Sequence, residues 1–281
     1  MQGMRLATGL LCVSLAMVAA GEGPLRVFLS GPASDALTAF EQGLSTPTSS
    51  VSITESASQA DILLPVGDGA FAAVSSGSPV FAVRVSRRVL DQRRADGCRC
   101  SGIYAGARPS DQLALVEALL PRARRVGVVL SRQNRFLEKE LAEAAADRIA
   151  LRVEIVDSAE QLPVALSRLL PAVDVLLLLP DPMLFNAETA RLLLLTSYRQ
   201  GRPVVGPDNA FVRAGSLASI DASTRDVVSH TLAVLEGYTA GRLPPPDYAA
   251  RTISINPHVA RTYGVRETDT EALAESIWGQ Q

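Results

Sequence analysis

The chain has 281 residues, enough for two modest lobes with a core in each. Its 27 basic and 29 acidic residues leave a net charge of -2, which gives no electrostatic reason to expect nucleic acid or an anionic membrane as partner. A hydrophobic share of 47% with 20% charged residues describes a globular protein, and the charge balance fits a neutral or zwitterionic small molecule.

Residues 1–20 read as an export signal. Arg5 supplies the positive start, Leu10 to Ala19 a short apolar run, and Val18-Ala19-Ala20 the small residues that precede cleavage before Gly21. That run falls short of the roughly 20 residues that span a bilayer, and no later segment is long enough either. The expectation is an exported, periplasmic protein that does not cross the membrane. Cys12 lies inside the apolar run after Leu10-Leu11, the wrong setting for a lipid-modified cysteine.

Downstream, Leu25 to Leu29 predicts a strand that stops at Ser30-Gly31-Pro32, and Ser34 caps a helix through Leu44 with Leu37, Phe40 and Leu44 at helical spacing. Val51 to Thr54 and Ala60 to Val66 predict further strands, and Gly67-Asp68-Gly69 leads into a short helix at Ala70 to Val74. Pro79 to Val85 is the next strand. The pattern is β-α-β-β-α-β, the mark of a mostly parallel sheet with helices on its faces.

Cys98 and Cys100 follow. Two extended residues separate their Cα atoms by roughly 6.5 Å, near the limit for a bridge, though a turn can bring them together. A local bridge and a reduced pair both stay open. Zinc wants four ligands, and neither histidine has a partner at metal spacing.

A second series begins after Gly102-Ile103-Tyr104. Ser110 caps a helix with Leu113, Val116, Leu119 and Leu120 on its apolar face, and Pro121 ends it. Arg125 to Leu130 is a strand leading through Ser131-Arg132-Gln133-Asn134 into a helix with Leu137, Leu141, Ala145 and Ile149. Leu151 to Val156 is a strand, and Ser158 with Gln161 predicts a capping box for a helix ending near Leu170. Val173 to Leu179 is continuously apolar, as a strand buried on both faces should be. Asp181-Pro182, a helix from about Ala187 to Arg199, and the strand Pro203-Val204-Val205 running into Gly206-Pro207-Asp208-Asn209 complete three βα units.

These stretches together resemble the periplasmic substrate-binding proteins of ABC transporters, in the branch whose members bind aromatic amino acids. The likeness is carried in order by Gly102-Ile103-Tyr104 through Gln112-Leu113-Ala114-Leu115, Leu120-Pro121, Arg124 to Leu130, Asp174 to Pro182, Pro203 to Asn209, Ala214 to Ala218, and Glu236-Gly237 to Pro244-Pro245-Pro246. It covers about Ile103 to Val265. It implies a type I α/β fold of two Rossmann-like lobes with parallel sheets, joined by a multi-strand hinge where the chain crosses three times. The implied lobes are residues 24–105 plus 221–248, and 106–220 plus 249–281, with Ile253 to Asn256 as a returning strand. The first lobe is abbreviated: where a helix is expected before Ala60, only Glu55-Ser56-Ala57-Ser58-Gln59 remains. The resemblance also implies a membrane permease and an ATPase as partners.

In open α/β sheets ligands sit beyond the carboxyl ends of the strands, so the loops there supply the candidates. From the first lobe these are Ser30, Gly31, Gly67 and Asp68. From the second they are Ser131, Arg132, Gln133, Asp181, Pro182, Asp208 and Asn209, with Tyr104 and Asp221 near crossings. Asp208 or Asp181 can accept from an ammonium, and Arg132 or helix-start amides can hold a carboxylate. The competing role for Asp and Asn at these places is helix capping. Gly67-Asp68-Gly69-Ala70-Phe71-Ala72 fits G-x-G-x-x-A, but it lies on a later strand and no acidic residue closes the next one, so a tight strand-to-helix turn explains it better than a dinucleotide. There is no G-x-S-x-G elbow, Walker loop or H-E-x-x-H. The expected function is capture of a small molecule, such as an amino acid or similar metabolite, without catalysis, cofactor or metal. The rival is a ligand-blind or sensory descendant that contacts another envelope protein.

Overall fold

The computed structural model describes residues 23–46, 50–75, 77–146, 148–238, 242–266 and 268–279. The export signal read at residues 1–20 lies outside the described residues. The chain first runs β1 (Leu25–Ser30), α1 (Asp35–Leu44), β2 (Val51–Ile53), β3 (Ile62–Pro65), α2 (Asp68–Ala73), β4 (Val80–Val85), α3 (Arg87–Ala95) and β5 (Cys100–Tyr104). It continues through α4 (Pro109–Leu119), β6 (Arg125–Ser131), α5 (Leu137–Ala145), β7 (Ala150–Val156), α6 (Leu162–Leu169), β8 (Val175–Leu177), α7 (Ala187–Arg199), β9 (Val204–Val205), α8 (Asn209–Ala214) and β10 (Ala218–Asp221). Last come α9 (Thr224–Glu236), β11 (Asp247–Tyr248), β12 (Thr252–Ile255), α10 (Pro257–Thr262) and α11 (Thr270–Trp278).

The strands form two six-stranded sheets, ordered β11-β5-β4-β3-β1-β2 and β12-β10-β9-β8-β6-β7. Every pairing is parallel except that of β12, which returns antiparallel to β10. The chain therefore passes between the sheets after β5, after β10 and after β11. Parallel sheets need cover on both faces, and both have it. Phe71, Phe81, Leu90 and Ile103 are buried about the first sheet, while Leu130, Leu166, Leu177 and Leu193 are buried about the second. Helix α9 follows the second sheet in the chain but packs on α1 of the first. Gly43 allows this, since a Cβ there would stand 2.6 Å from Val228.

Several elements depart from the sequence reading for identifiable reasons. Helix α3 was not predicted, because Arg87–Ala95 buries a single residue, Leu90, and shows no apolar stripe. It is held instead by Arg93, which donates to the Phe71 and Val74 carbonyls and lies 4.6 Å over the Phe71 ring. Gly102-Ile103-Tyr104 belongs to an inner strand of the first sheet, and the crossing begins only after it. Helix α4 starts on Pro109 without a side-chain cap, and Ser110 contacts Asp111 instead. The expected box at Ser158 is not made: Gln161 accepts instead from the Asp157 N–H at 2.9 Å, Ser158 caps nothing, and a 3-10 turn at Ala159–Gln161 precedes α6. The missing helix before Ala60 is a 3-10 turn at Ala57–Gln59. Cys98 and Cys100 are bridged, with Cα atoms 5.3 Å apart. That separation is shorter than two extended residues give and lies within the range a disulfide needs.

Candidate functional site between the sheets

The finishing ends of the first sheet's strands gather four of the candidate residues. Ser30, Gly31, Gly67 and Asp68 line one open hollow of about 930 Å³. Gly67 turns the chain at φ +83°, a conformation that favours glycine. Asp68 is engaged within the fold: its carboxylate accepts from the Ser86 N–H at 2.7 Å and from the Ser86 hydroxyl, so it fixes the start of α3.

The second sheet's carboxylates are engaged in the same way. Asp181 is buried and accepts from the N–H groups of Ser131 at 3.1 Å and Met183 at 3.2 Å, tying the end of β6 to the loop after β8. The Ser131 hydroxyl is buried without a hydrogen-bond partner. Asp208 accepts from the Phe211 N–H at 3.0 Å and caps α8, with Asn209 exposed in its first turn. Asp221 accepts from the Ala222 N–H at 2.7 Å. Burial pushes its pKa up, and nearby Asp208 adds to that while Arg84 opposes it. Asp208, Asn209 and Asp221 are thus together. Arg132 and Gln133 are not drawn into a site: Arg132 pairs with Asp157 at 2.5 Å on the surface, and Gln133 is exposed.

Where the chain crosses between sheets, the packing is close. Gly106, at φ +78°, lies so near the loop after β8 that a Cβ would stand 2.2 Å from Pro180. Only glycine fits there. Beside it is a small void of about 60 Å³ whose lining comes from both sheets: Ser86, Arg87 and Tyr248 on one side, Asn134, Phe136 and Pro182 on the other. Of the described residues that line it, Arg87 alone carries a charge.

Arg87 joins the two sides. Its Nη1 donates to Glu140 of α5, and its Nε stands 3.5 Å from Asp91, an ion-pair distance too long for a hydrogen bond. The guanidinium lies 5.7 Å from the Tyr104 ring centre and 5.6 Å from that of Phe136, within cation–π range of both. Burial works against its charge, yet Tyr248 and Glu140 outweigh that and its pKa is raised. Tyr104 donates to Asp91 at 2.6 Å, and its ring is 5.0 Å from that of Tyr248. Burial, followed by Asp91, pushes the Tyr104 pKa up, so the phenol keeps its proton.

A second arginine marks the other side of the crossing. Arg84 has φ +54° at the irregular step between Val83 and Val85, where β4 and β5 slip in register. A non-glycine residue in this region is strained by roughly 1 to 3 kcal/mol. The bend aims its guanidinium at the Ala222 carbonyl, next to Asp221. Arg84, Ser86, Arg87, Asn134, Phe136, Glu140 and Tyr248 were all missed in the sequence. One signal was available: Ser86 and Arg87 directly follow the predicted strand Pro79 to Val85, the position from which the other candidates were drawn.

Comparison with known proteins decides the family. The description "ABC transporter substrate binding protein" matches residues 51–276. The chain belongs to that family. No curated protein sequence matches it. Among solved structures, the ABC domain from Streptococcus pneumonia in complex with L-Trp is 16% identical, with a TM-score of 0.62 over 88% of this chain and 97% of that one. A ligand-free, open substrate-binding protein with adhesive properties from Clostridium difficile is 15% identical, with a TM-score of 0.64 over 88% and 96%. A conserved domain protein from Vibrio cholerae is 18% identical, with a TM-score of 0.61 over 89% and 98%. At these identities the likeness establishes the fold, that of the type I periplasmic binding proteins. No helix among the described residues is long and apolar enough to cross a membrane.

Proposed function

We propose that this substrate-binding protein captures a small molecule between two lobes, residues 24–105 plus 221–248 and residues 106–220 plus 249–281, and delivers it to an ABC permease and its ATPase after export to the periplasm. The observation that carries the reading is the void lined from both sheets at the ends of their strands, with Arg87 in its lining bonded to Glu140 of α5 from the other sheet. A guest there touches both lobes at once, which gives the closed arrangement the extra affinity that closure requires. Capture needs no bond made or broken. The L-Trp held by the Streptococcus pneumonia structure favours an amino acid or similar metabolite.

One observation favours a ligand-blind protein that contacts another envelope protein instead. The void of about 60 Å³ is well below the roughly 300 Å³ at which small-molecule pockets begin. Thermal unfolding against a panel of amino acids and other metabolites separates the two readings. A ligand at 100 times its dissociation constant stabilises the fold by roughly 2.7 kcal/mol. A shift with any member supports capture, and a flat response across the panel favours the ligand-blind reading.

A further inference from the structure

We infer that Arg87 is the anion anchor of the interlobe void, that the ligand is an organic acid with an apolar body, and that Glu140 occupies the place of its carboxylate in the ligand-free chain. The inference rests on the capture reading and names the ligand class for that site.

The composition of the lining supports it. One cation faces the void, and Ser86 and Asn134 add a hydroxyl and an amide, while most of the remainder is apolar or aromatic. A neutral polyol would bury several hydroxyls against such walls without partners, which is unfavourable. A cationic ligand would meet Arg87 directly. A single anionic head on an apolar body leaves nothing unpaired.

Arg87 is not saturated by its partners, Tyr248 and Glu140. Its Nε is buried, makes no hydrogen bond and stands 3.5 Å from Asp91. A guanidinium presents five donors in a fork that suits the two oxygens of one carboxylate, whereas here Glu140 receives from Nη1 alone. A free carboxylate can adopt the bidentate arrangement, and Arg87 stays paired throughout the exchange. That continuity matters, because a half-buried guanidinium stripped of its partner is costly.

Glu140 is placed to be displaced. It arrives from α5 of the other sheet, and its side chain keeps a third of its surface exposed, so it can turn to water when it leaves. Phe136 is 42% exposed and stacks on the same guanidinium, so the ligand's apolar body can take its position. Together these movements enlarge a void that now admits little more than a carboxylate. The contact closing the lobes without ligand is thereby exchanged for one made by the ligand.

The test uses acetate, benzoate, phenylacetate and indole-3-acetate, each against its amide, with thermal shift and calorimetry on the wild type, Glu140→Gln and Arg87→Gln. At least one acid should bind while its amide does not. Glu140→Gln should tighten that acid about tenfold by removing the internal competitor, and Arg87→Gln should weaken it at least tenfold. The two variants move in opposite directions, so a general loss of folding cannot imitate the result. Equal binding of acid and amide, or retained affinity in Arg87→Gln, overturns the anchor and leaves capture standing. The same holds if none of the acids binds but another metabolite does. If neither these acids nor any metabolite of the broader panel shifts the wild type or Glu140→Gln, the anchor and the capture reading fall together.

Discussion

At their starting edges the two sheets are built alike, and at their finishing edges they differ. Asp61, the residue before β3, accepts from the Arg26 backbone at 3.0 Å and from its Nη2 at 2.7 Å. Asp174, the residue before β8, accepts from the Arg125 backbone at 2.9 Å and from its Nη2 at 2.6 Å. In each case one carboxylate sets the register between the first strand of a βα series and its central neighbour. At the finishing edges both sheets turn carboxylates inward to backbone N–H groups, Asp68 in the first and Asp181 and Asp208 in the second, but the first also sends out two arginines, Arg84 and Arg87, toward the other half. Positions that serve the fold converge in the two halves. The edge that faces a guest is where they part.

The largest expected effect breaks this comparison at Asp181. With its carboxylate removed, the Ser131 and Met183 N–H groups lose their acceptor in a buried place, which costs roughly 1 to 3 kcal/mol per orphaned group before relaxation. Asp181→Ala should lower the unfolding free energy by about 2 to 3 kcal/mol in urea titration, with an unchanged m-value. A variant as stable as the wild type that loses ligand affinity would make Asp181 a recognition group and erase the contrast.

Asp208 sharpens the same contrast at a smaller scale. Its carboxylate caps α8 through a single N–H, and replacing an N-cap aspartate by alanine costs about 1 kcal/mol. Asp208→Asn keeps the acceptor and should recover most of that loss. A ligand affinity that falls in both variants would show that charge, rather than capping, is what the position supplies.

Much of the architecture was legible before the structure, for physical reasons. Helix α7, expected from about Ala187 to Arg199, runs over those residues, and the structure adds a capping box at Asn186 that opens it. Buried parallel strands announce themselves as unbroken apolar runs, as at Val173 to Leu179, although only Val175–Leu177 pairs as β8. What stayed hidden lacked an apolar signal. Helix α3 is almost entirely polar, so its first residue, Arg87, read as loop. Polar residues after strands look alike whether they cap or bind, so Asp181 and Asp208 were chosen as candidates beside residues without a capping role. The pairing of Arg87 with Glu140 joins positions 53 apart in different halves, and no local pattern encodes it.

The smallest effect tests the shared starting edge through pH. The side-chain hydrogen bond from Arg125 leads in holding the Asp174 pKa down to about 2, from an ordinary value of 3.8, and the bond from Arg26 lowers that of Asp61 in the same sense. A carboxylate whose pKa is depressed by folding adds stability that is fully present above its unfolded value and is lost as pH falls through the folded one. The difference in stability between the wild type and Asp174→Asn should therefore be complete above about pH 4 and should close as the pH approaches 2. The gap should be smaller than that of Asp208→Ala, because solvent screens a pair whose arginine is half exposed. Asp61→Asn should follow the same sign over the acidic range. If one variant shows a gap that is insensitive to pH, the two edges are held by different means, and the likeness between the halves is confined to their backbones.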